Sequence, residues 1–284
     1  VVVNMATAVD VKTSYAQVKG RNIAYRSLGS GTPLILCNRY RGILDTWDPA
    51  FLDAVAKDFN VITFDYTGFG LSTGTPPTDM ATFARDVLDL MEALHVQKAV
   101  IGGWSFGGLV AQTLIARYPQ KASHGLLIGT GPLGKNQTPI EPIFYERSSI
   151  VDNSLDDETV LFFEPEWAPS RDAAKISHDR IAQRKTDLDV PVPKELWINY
   201  HKGFADCTAD KYGLREKILT SKVPMLALMG DHDISFPIKN WYVLAQKMES
   251  TQLVVFPKAG HGPQHEFPQQ CADFIRSFYA NTSH

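Results

Sequence analysis

The stretch Val100-Ile101-Gly102-Gly103-Trp104-Ser105-Phe106-Gly107-Gly108-Leu109-Val110 decides how this chain folds. Apolar residues run up to Gly103, a serine follows two residues later, and a second apolar run with helical spacing begins after Gly107-Gly108. The pentapeptide Gly103-Trp104-Ser105-Phe106-Gly107 has the form G-x-S-x-G, a sharp strand-to-helix turn that lifts a serine hydroxyl clear of a sheet. Its glycines have a physical reason: a serine on such a turn is strained, and neighbouring Cβ atoms would collide with it. The turn also puts the next backbone N–H at a helix N-terminus, where unpaired donors and the helix dipole favour negative charge. A glycine-rich turn with an incidental serine would share the pentapeptide, so the rest of the chain has to separate the two.

Working outward, short apolar runs alternate with amphipathic ones. Residues 14–18 and 22–27 alternate apolar and polar around Lys19-Gly20-Arg21 and predict an antiparallel hairpin. Leu34–Cys37 is short and apolar throughout, as a strand buried on both faces should be, and Val61–Phe64, residues 98–103 and Gly125–Gly129 read as further buried strands. Between them, helices are expected from Asp48-Pro49 to about Lys57, over 79–94 with Phe83, Val87, Leu90, Met91 and Leu94 on one face, and from the elbow to Tyr118. After Gly131 the pattern lapses. Residues 132–215 hold seven prolines, many aromatics and no buried strand, and read as short helices near 140–150, 156–163, 171–185 and 193–204. Strands return at 223–229 and 251–256, with helices expected over about 238–248 and 267–279. This order predicts an α/β fold with a mostly parallel eight-stranded sheet, helices on both faces and a helical cap inserted after the sixth strand. The expected organisation is a first core part (1–131), a cap or lid (132–215) and a second core part (216–284).

The 284 residues, 44% of them hydrophobic, suffice for one large core with an insertion. A net charge of −3 argues against a nucleic-acid or polyanion binder, and no apolar run approaches the roughly 18 residues of a membrane span. Cys37, Cys207 and Cys271 are odd in number and far apart, so they form no disulfide framework and fit a reducing, cytoplasmic setting. Val1–Asn4 precede Met5, which reads as the native start, and the opening residues make a poor signal peptide. Nothing in the residues speaks to oligomeric state.

Ser105, Asp233 and His261 each lie just past a predicted strand end, where ligands bind in an open α/β sheet, and they follow one another in the order Ser, Asp, His. The chain therefore resembles the α/β-hydrolase superfamily, and within it the cap-bearing serine esterase and lactonase-like branch. The resemblance runs from about residue 14 onward. It rests on the elbow, on Asp65-x-x-Gly68-x-Gly70-x-Ser72, on Gly230-Asp231-His232-Asp233-x-x-x-Pro237 and on Gly260-His261-Gly262. A serine hydroxyl needs an adjacent base, a part for His261, with an aspartate to hold the imidazole. Asp231 competes for that last part; the resemblance assigns it to Asp233, four residues before the proline. A serine, not an aspartate, at the nucleophile position implies acyl transfer to water. The expected reaction is hydrolysis of a small carboxylic ester or lactone, with no metal and no cofactor. The alternatives are carbon–carbon bond hydrolysis of a vinylogous diketone, perhydrolysis, or a non-catalytic receptor that kept the fold.

The sequence departs from the family after the third strand. Where His-Gly is common, Asn38-Arg39 stands. The resemblance places the oxyanion donors at the backbone N–H groups of Phe106 and Tyr40. Arg39 and Arg41 flank Tyr40, and are read either as contacts to an anionic substrate or, as the favoured reading, as surface arginines tied to Asp45 or Asp48. Pocket candidates are Asn38, Arg39, Trp104, Phe144, Tyr145, Trp167 and Trp197. His261 and His265 have the i, i+4 spacing of a metal pair, but Pro263 intervenes and no third ligand is evident. His124, His178, His201 and His284 read as structural or surface residues.

Overall fold

A computed structural model describes residues 6–282. The assignment of Met5 as the native start, and that of His284, lie outside these residues.

The chain opens with β1 (Ser14–Val18) and β2 (Arg21–Leu28), joined by Lys19-Gly20. Both turn residues have positive φ, at 48° and 80°, the geometry of a two-residue hairpin turn whose twist matches the strands it joins. Next come β3 (Pro33–Cys37), α1 (Pro49–Ala56), β4 (Asn60–Phe64), α2 (Met80–Ala93), β5 (Ala99–Trp104), α3 (Phe106–Arg117) and β6 (Ala122–Ile128). The sheet has eight strands in the order β1-β2-β4-β3-β5-β6-β7-β8, closed by β7 (Met225–Gly230) and β8 (Thr251–Phe256). The pairs β1–β2 and β2–β4 are antiparallel and the remainder parallel.

Alternation along the parallel strands fills two cores. Ile35, Ile101, Leu127 and Ala227 face α2 and α3, among Val87, Leu90, Val110 and Leu114. Leu34, Leu36, Val100, Leu126 and Leu228 face the other way, onto Phe51 and Val55 of α1 and onto Ile275 and Phe278 of α11 (Pro268–Asn281). Successive side chains on a strand point to opposite faces, so a wholly apolar strand is what two helical layers require. The chain leaves β3 for β4 on one side and reaches β5 on the other, which opens a crevice at the C-terminal ends of β3 and β5.

The segment between β6 and β7 forms the cap: α4 (Pro142–Ser148), α5 (Leu155–Phe162), α6 (Ala168–Ile181), α7 (Trp197–Ala209) and α8 (Leu214–Leu219). The expected boundary at 215/216 falls inside α8, which packs on α3. The helix expected over 238–248 is also shorter. Only Lys239–Tyr242 (α9) is α-helical, and the chain continues in tight turns to Lys247. Ile238, Trp241 and Leu244 are buried there while Tyr242 and Val243 are exposed, so the apolar spacing is met by one helical turn followed by tight turns. A last short helix, α10 (Pro263–Glu266), precedes α11. Among the described residues no helix is long and apolar enough to cross a membrane.

Two buried polar ties hold the cap to the sheet. Asp48, fully buried at the start of α1, accepts from Arg180 Nη2 at 2.7 Å and from Ser177 Oγ at 2.7 Å, both on α6. Asp65, after β4, adjoins Asp189 on the loop after α6, and both carboxyls accept from the N–H of Leu44. Burial, and then the neighbouring Asp189, push the Asp65 carboxyl well above the usual carboxylate range.

Gly103→Ala is expected to destabilise the fold by about 1–3 kcal/mol or more, because a Cβ there would lie 2.0 Å from the Gly107 carbonyl oxygen. Gly20→Ala, which meets nothing within 4 Å, is expected to cost only about 1 kcal/mol, from its positive φ. Equal losses on thermal unfolding would contradict the packing account. Asp65 supplies a pH prediction. Between the ordinary aspartate value and its raised value, the folded chain holds a proton that the unfolded chain has released. Stability therefore falls as pH rises through that window. Asp65→Asn should flatten this fall; parallel melting-temperature profiles for variant and parent would refute it.

Candidate active site

Ser105 caps the N-terminus of α3 with φ 60° and ψ −120°, a conformation that L-residues adopt only under constraint. The constraint is backbone packing. A Cβ on Gly103 would strike Gly107, and one on Gly107 would lie 2.0 Å from the Cys37 carbonyl oxygen of β3. The Ser105 N–H donates to Ile128 O at 2.9 Å, and its carbonyl accepts from Thr130 Oγ1 at 2.7 Å and from Gly108 N at 2.9 Å. Every backbone group of the serine is thus spoken for, which leaves Oγ as its free end.

His261 comes from the loop after β8 and Asp233 from the loop after β7. Ser105 Oγ lies 2.8 Å from His261 Nε2, and His261 Nδ1 lies 2.9 Å from Asp233 Oδ2. All three residues are buried. The other Asp233 oxygen, Oδ1, accepts from the N–H groups of Ser235 and Phe236, each at 2.8 Å. Two N–H donors on one oxygen suit an ionised carboxylate, which can only accept, so the His261 proton sits on Nδ1 and Nε2 is left to accept from the serine. The imidazole is sandwiched between Phe162 and Phe236, 19° and 16° from parallel, with Phe144 edge-on. Trp104 Nε1 donates to the His261 carbonyl at 2.8 Å. Asp231, the other candidate acid, is half-exposed and pairs with its neighbour His232. His265 turns away from His261: burial pushes its ring down to about 4, and the neutral Nε2 accepts from the Asp48 N–H at 3.1 Å.

Two clefts meet at Ser105. One, of about 540 Å³, is lined by Tyr40, Phe106, Ile140, Phe144, Tyr145, Tyr200, His201, Phe204 and Phe236. The other, of about 300 Å³, runs past His261 between Arg39, Arg41, Asn153, Leu161 and Phe162. Phe106 N–H is an orphan donor of the first turn of α3, and neither it nor the Tyr40 N–H has a hydrogen-bond partner among the described residues.

The pocket candidates divide. Phe144, Tyr145 and Arg39 line the clefts. Asn38 does not: its amide is used by Trp47 Nε1 and the carbonyls of Phe64 and Gly42, which closes the loop after β3. Trp104 is core, packed on Trp47 and His265 beneath the imidazole. Trp197 is buried under Tyr40 and Arg41, outside both cleft walls. Trp167 is 45% exposed on the outer face of the cap, near Lys258. The expected tie of Arg39 or Arg41 to Asp45 or Asp48 is also corrected. Asp45 pairs with Arg26 at 2.7 Å and Asp48 with Arg180. Arg41 instead donates to the carbonyls of Ser148, Ile150 and Val151 of the cap. Sequence reasoning missed Phe162, Tyr200, Phe204 and Phe236 as cleft residues. The density of aromatics in the insertion was visible, but which of them turn inward depends on how α5 and α7 dock.

Residues 32–268 match the family model described as the alpha/beta hydrolase fold. The chain is similar to a pimeloyl-[acyl-carrier protein] methyl ester esterase of Vibrio parahaemolyticus, 29% identical over 266 residues, spanning 90% of this chain and 98% of that protein. It is also similar to a 2-hydroxymuconate semialdehyde hydrolase of Pseudomonas sp. strain CF600, 26% identical over 269 residues, spanning 89% and 88%. An alpha/beta hydrolase fold protein from Chitinophaga pinensis superposes with a TM-score of 0.87 at 24% identity, covering 98% of this chain and all of that one. An eight-stranded sheet with this order, a serine on a strained turn at its crevice and a family match over most of its length have one reading: the chain belongs to the alpha/beta hydrolase fold family and is a hydrolase.

Proposed function

We propose that the chain hydrolyses a small carboxylic ester or lactone through an acyl-enzyme on Ser105. The observation that carries this reading is the run of two hydrogen bonds from Ser105 Oγ through His261 to Asp233 at the floor of a two-armed cleft. In the proposed reaction His261 Nε2 takes the hydroxyl proton as Oγ bonds to the ester carbonyl carbon. Asp233 steadies the imidazolium that results. The carbonyl oxygen, now carrying the negative charge, is received by the N–H groups of Phe106 and Tyr40. The intermediate collapses, the ester C–O bond breaks and His261 returns the proton to the departing alcohol. Water, deprotonated by the same histidine, then attacks the acyl-enzyme and frees the acid and Ser105. Every step draws on groups of the chain itself, so we propose no cofactor and no macromolecular partner. The free, buried thiols of Cys37, Cys207 and Cys271 support a reducing, cytoplasmic setting.

A second reading, hydrolysis of a carbon–carbon bond in a vinylogous diketone, is favoured by the similarity to the 2-hydroxymuconate semialdehyde hydrolase. A panel of short esters, lactones and dienoates separates the two by which class is turned over fastest.

A fluorophosphonate probe is expected to label Ser105, and Ser105→Ala is expected to lose labelling and about 10⁴-fold or more in kcat while its melting temperature holds. Near-normal turnover by that variant would end the proposal. Asp233→Asn should cost on the order of 10⁴-fold, because it disturbs the tautomer of the base. Asp231→Asn should cost little, since its carboxylate faces His232 and solvent. The reverse ranking would overturn the assignment of the acid.

A further inference from the structure

The two arms of the cleft differ in charge. The wider arm is lined by aromatics and Ile140. The narrower arm holds two guanidinium groups, Arg39 and Arg41, and no carboxylate. The chain is not short of counter-ions: it carries 31 acidic residues and a net charge of −3. Elsewhere Arg21 is paired with Asp86 and Asp89, Arg26 with Asp45 and Arg180 with Asp48. Arg215 and Arg117 have no acid within 4.0 Å among the described residues, but both lie outside the cleft: Arg215 donates to the Leu133 and Lys135 carbonyls and to Asn136 Oδ1, and Arg117 lies over the Tyr212 ring. Among the described residues neither Arg39 nor Arg41 has an acidic side chain within 4.0 Å.

Arg41 spends its donors on three cap carbonyls and stacks on Trp197, 4.0 Å from the ring centre. Arg39 does not. Nη1 donates to the Tyr40 carbonyl at 2.7 Å, and Nε is shut off from water with no partner. The guanidinium lies over the faces of Phe162 and Trp104, with its central carbon 4.8 and 5.4 Å from the ring centres. Those rings fix its plane but accept no hydrogen bond in the sense that an oxygen does. Burial, and then the charge of Arg41, lower its pKa to about 10, which leaves it cationic at neutral pH. A cation that is partly desolvated, held in one plane by two rings and short of acceptors is stabilised by an anion that completes it. Nη2 and the second N–H of Nη1 are left without partners, and the outer edge they form on a planar guanidinium carries two parallel donors, the geometry that a carboxylate matches with two oxygens.

We infer that this arm is a subsite for a carboxylate on the substrate, held by Arg39, so that the chain acts on esters bearing a negative charge. The inference deepens the proposed hydrolase reading and rests on it for the word ester, but not for the binding of the anion. The aromatic arm takes the apolar remainder of the same molecule. Tyr40, whose N–H is the proposed oxyanion donor, stands between Arg39 and Arg41, so charge recognition and the reacting carbonyl share one short loop.

Binding and turnover test the two claims separately. On Ser105→Ala protein, calorimetric titration with hexanoate is expected to show at least about tenfold tighter binding than with the neutral isostere hexanamide, weakening as salt rises. Arg39→Gln in the same background should bring the two ligands to parity, and Arg39→Lys should restore part of the difference, since a point charge keeps attraction but not the two-pronged fit. Equal binding of hexanoate and hexanamide before any change at Arg39, or a preference that survives Arg39→Gln in a protein that melts normally, would overturn the subsite. On the Ser105 protein, kcat/KM is then compared for esters ending in a carboxylate and for their primary-amide counterparts, with the charge on the acyl half in one pair and on the alcohol half in another. A preference of at least about tenfold for the charged member of either pair, lost in Arg39→Gln, supports the substrate class. Turnover without any charge preference refutes it and leaves the hydrolase reading standing. Hexanoate selectivity with no ester turnover supports the anion site and refutes the hydrolase reading.

Discussion

Ser105 holds a backbone conformation at φ 60° that costs on the order of 1–3 kcal/mol, and the chain sustains it by pressing three backbones together. Gly103 of β5 meets Gly107 of α3, and Gly107 meets the Cys37 carbonyl at the end of β3. No side chain fits between them, so the elbow cannot relax without separating the central helix from the sheet. That contact aims Oγ into the crevice where the strand order reverses. It also brings the loop after β3, which carries Arg39 and Tyr40, to the side of the serine. Because β5, β7 and β8 run parallel, the loops after them open on the same edge, and His261 and Asp233 can reach Ser105 from 156 and 128 residues away in sequence.

The buried charges of this protein are divided between holding and binding. Asp233 is saturated by two N–H donors and the imidazole. Asp48 is saturated by Arg180, Ser177 and Ala50, and so pins α6 to the start of α1. The carboxyls of Asp65 and Asp189 meet at the other junction of cap and sheet, where the raised Asp65 pKa makes that junction sensitive to pH. The cap is therefore tied to the sheet through polar groups on two sides, and the Gly262 N–H adds a third tie to the Phe162 carbonyl beside the imidazole. Arg39 differs from these paired groups: it is half-buried beside Ser105 with one carbonyl as its hydrogen-bond partner.

The sheet, its two helical layers and the places of Ser105, Asp233 and His261 at strand ends were legible in the sequence. Wholly apolar runs, glycines at backbone contacts and prolines at helix starts report local requirements that any tertiary setting must satisfy. The helix expected over 238–248 was overextended because buried residues at helical spacing, Ile238, Trp241 and Leu244, fit a string of tight turns as well as a continuous helix. The aromatics of the cap were visible as a composition, yet Trp167 points to solvent, Trp197 supports Arg41, and Phe162 stacks on the imidazole opposite Phe236 of the loop after β7.

What the sequence determined by itself is the order of elements and the chemistry on offer at their ends, because period, turn chemistry and steric limits act over a few neighbouring residues. What only the tertiary structure decided is who meets whom: that Asp233 and not Asp231 faces His261, that Asp45 and Asp48 belong to Arg26 and Arg180, and that Arg39 is left without a carboxylate in the arm of the cleft beside Ser105. Those pairings join residues up to 132 positions apart, and the longest of them depends on the docking of α6 against the start of α1. Charge partners are chosen by distance in space, a quantity that no local pattern in a chain records.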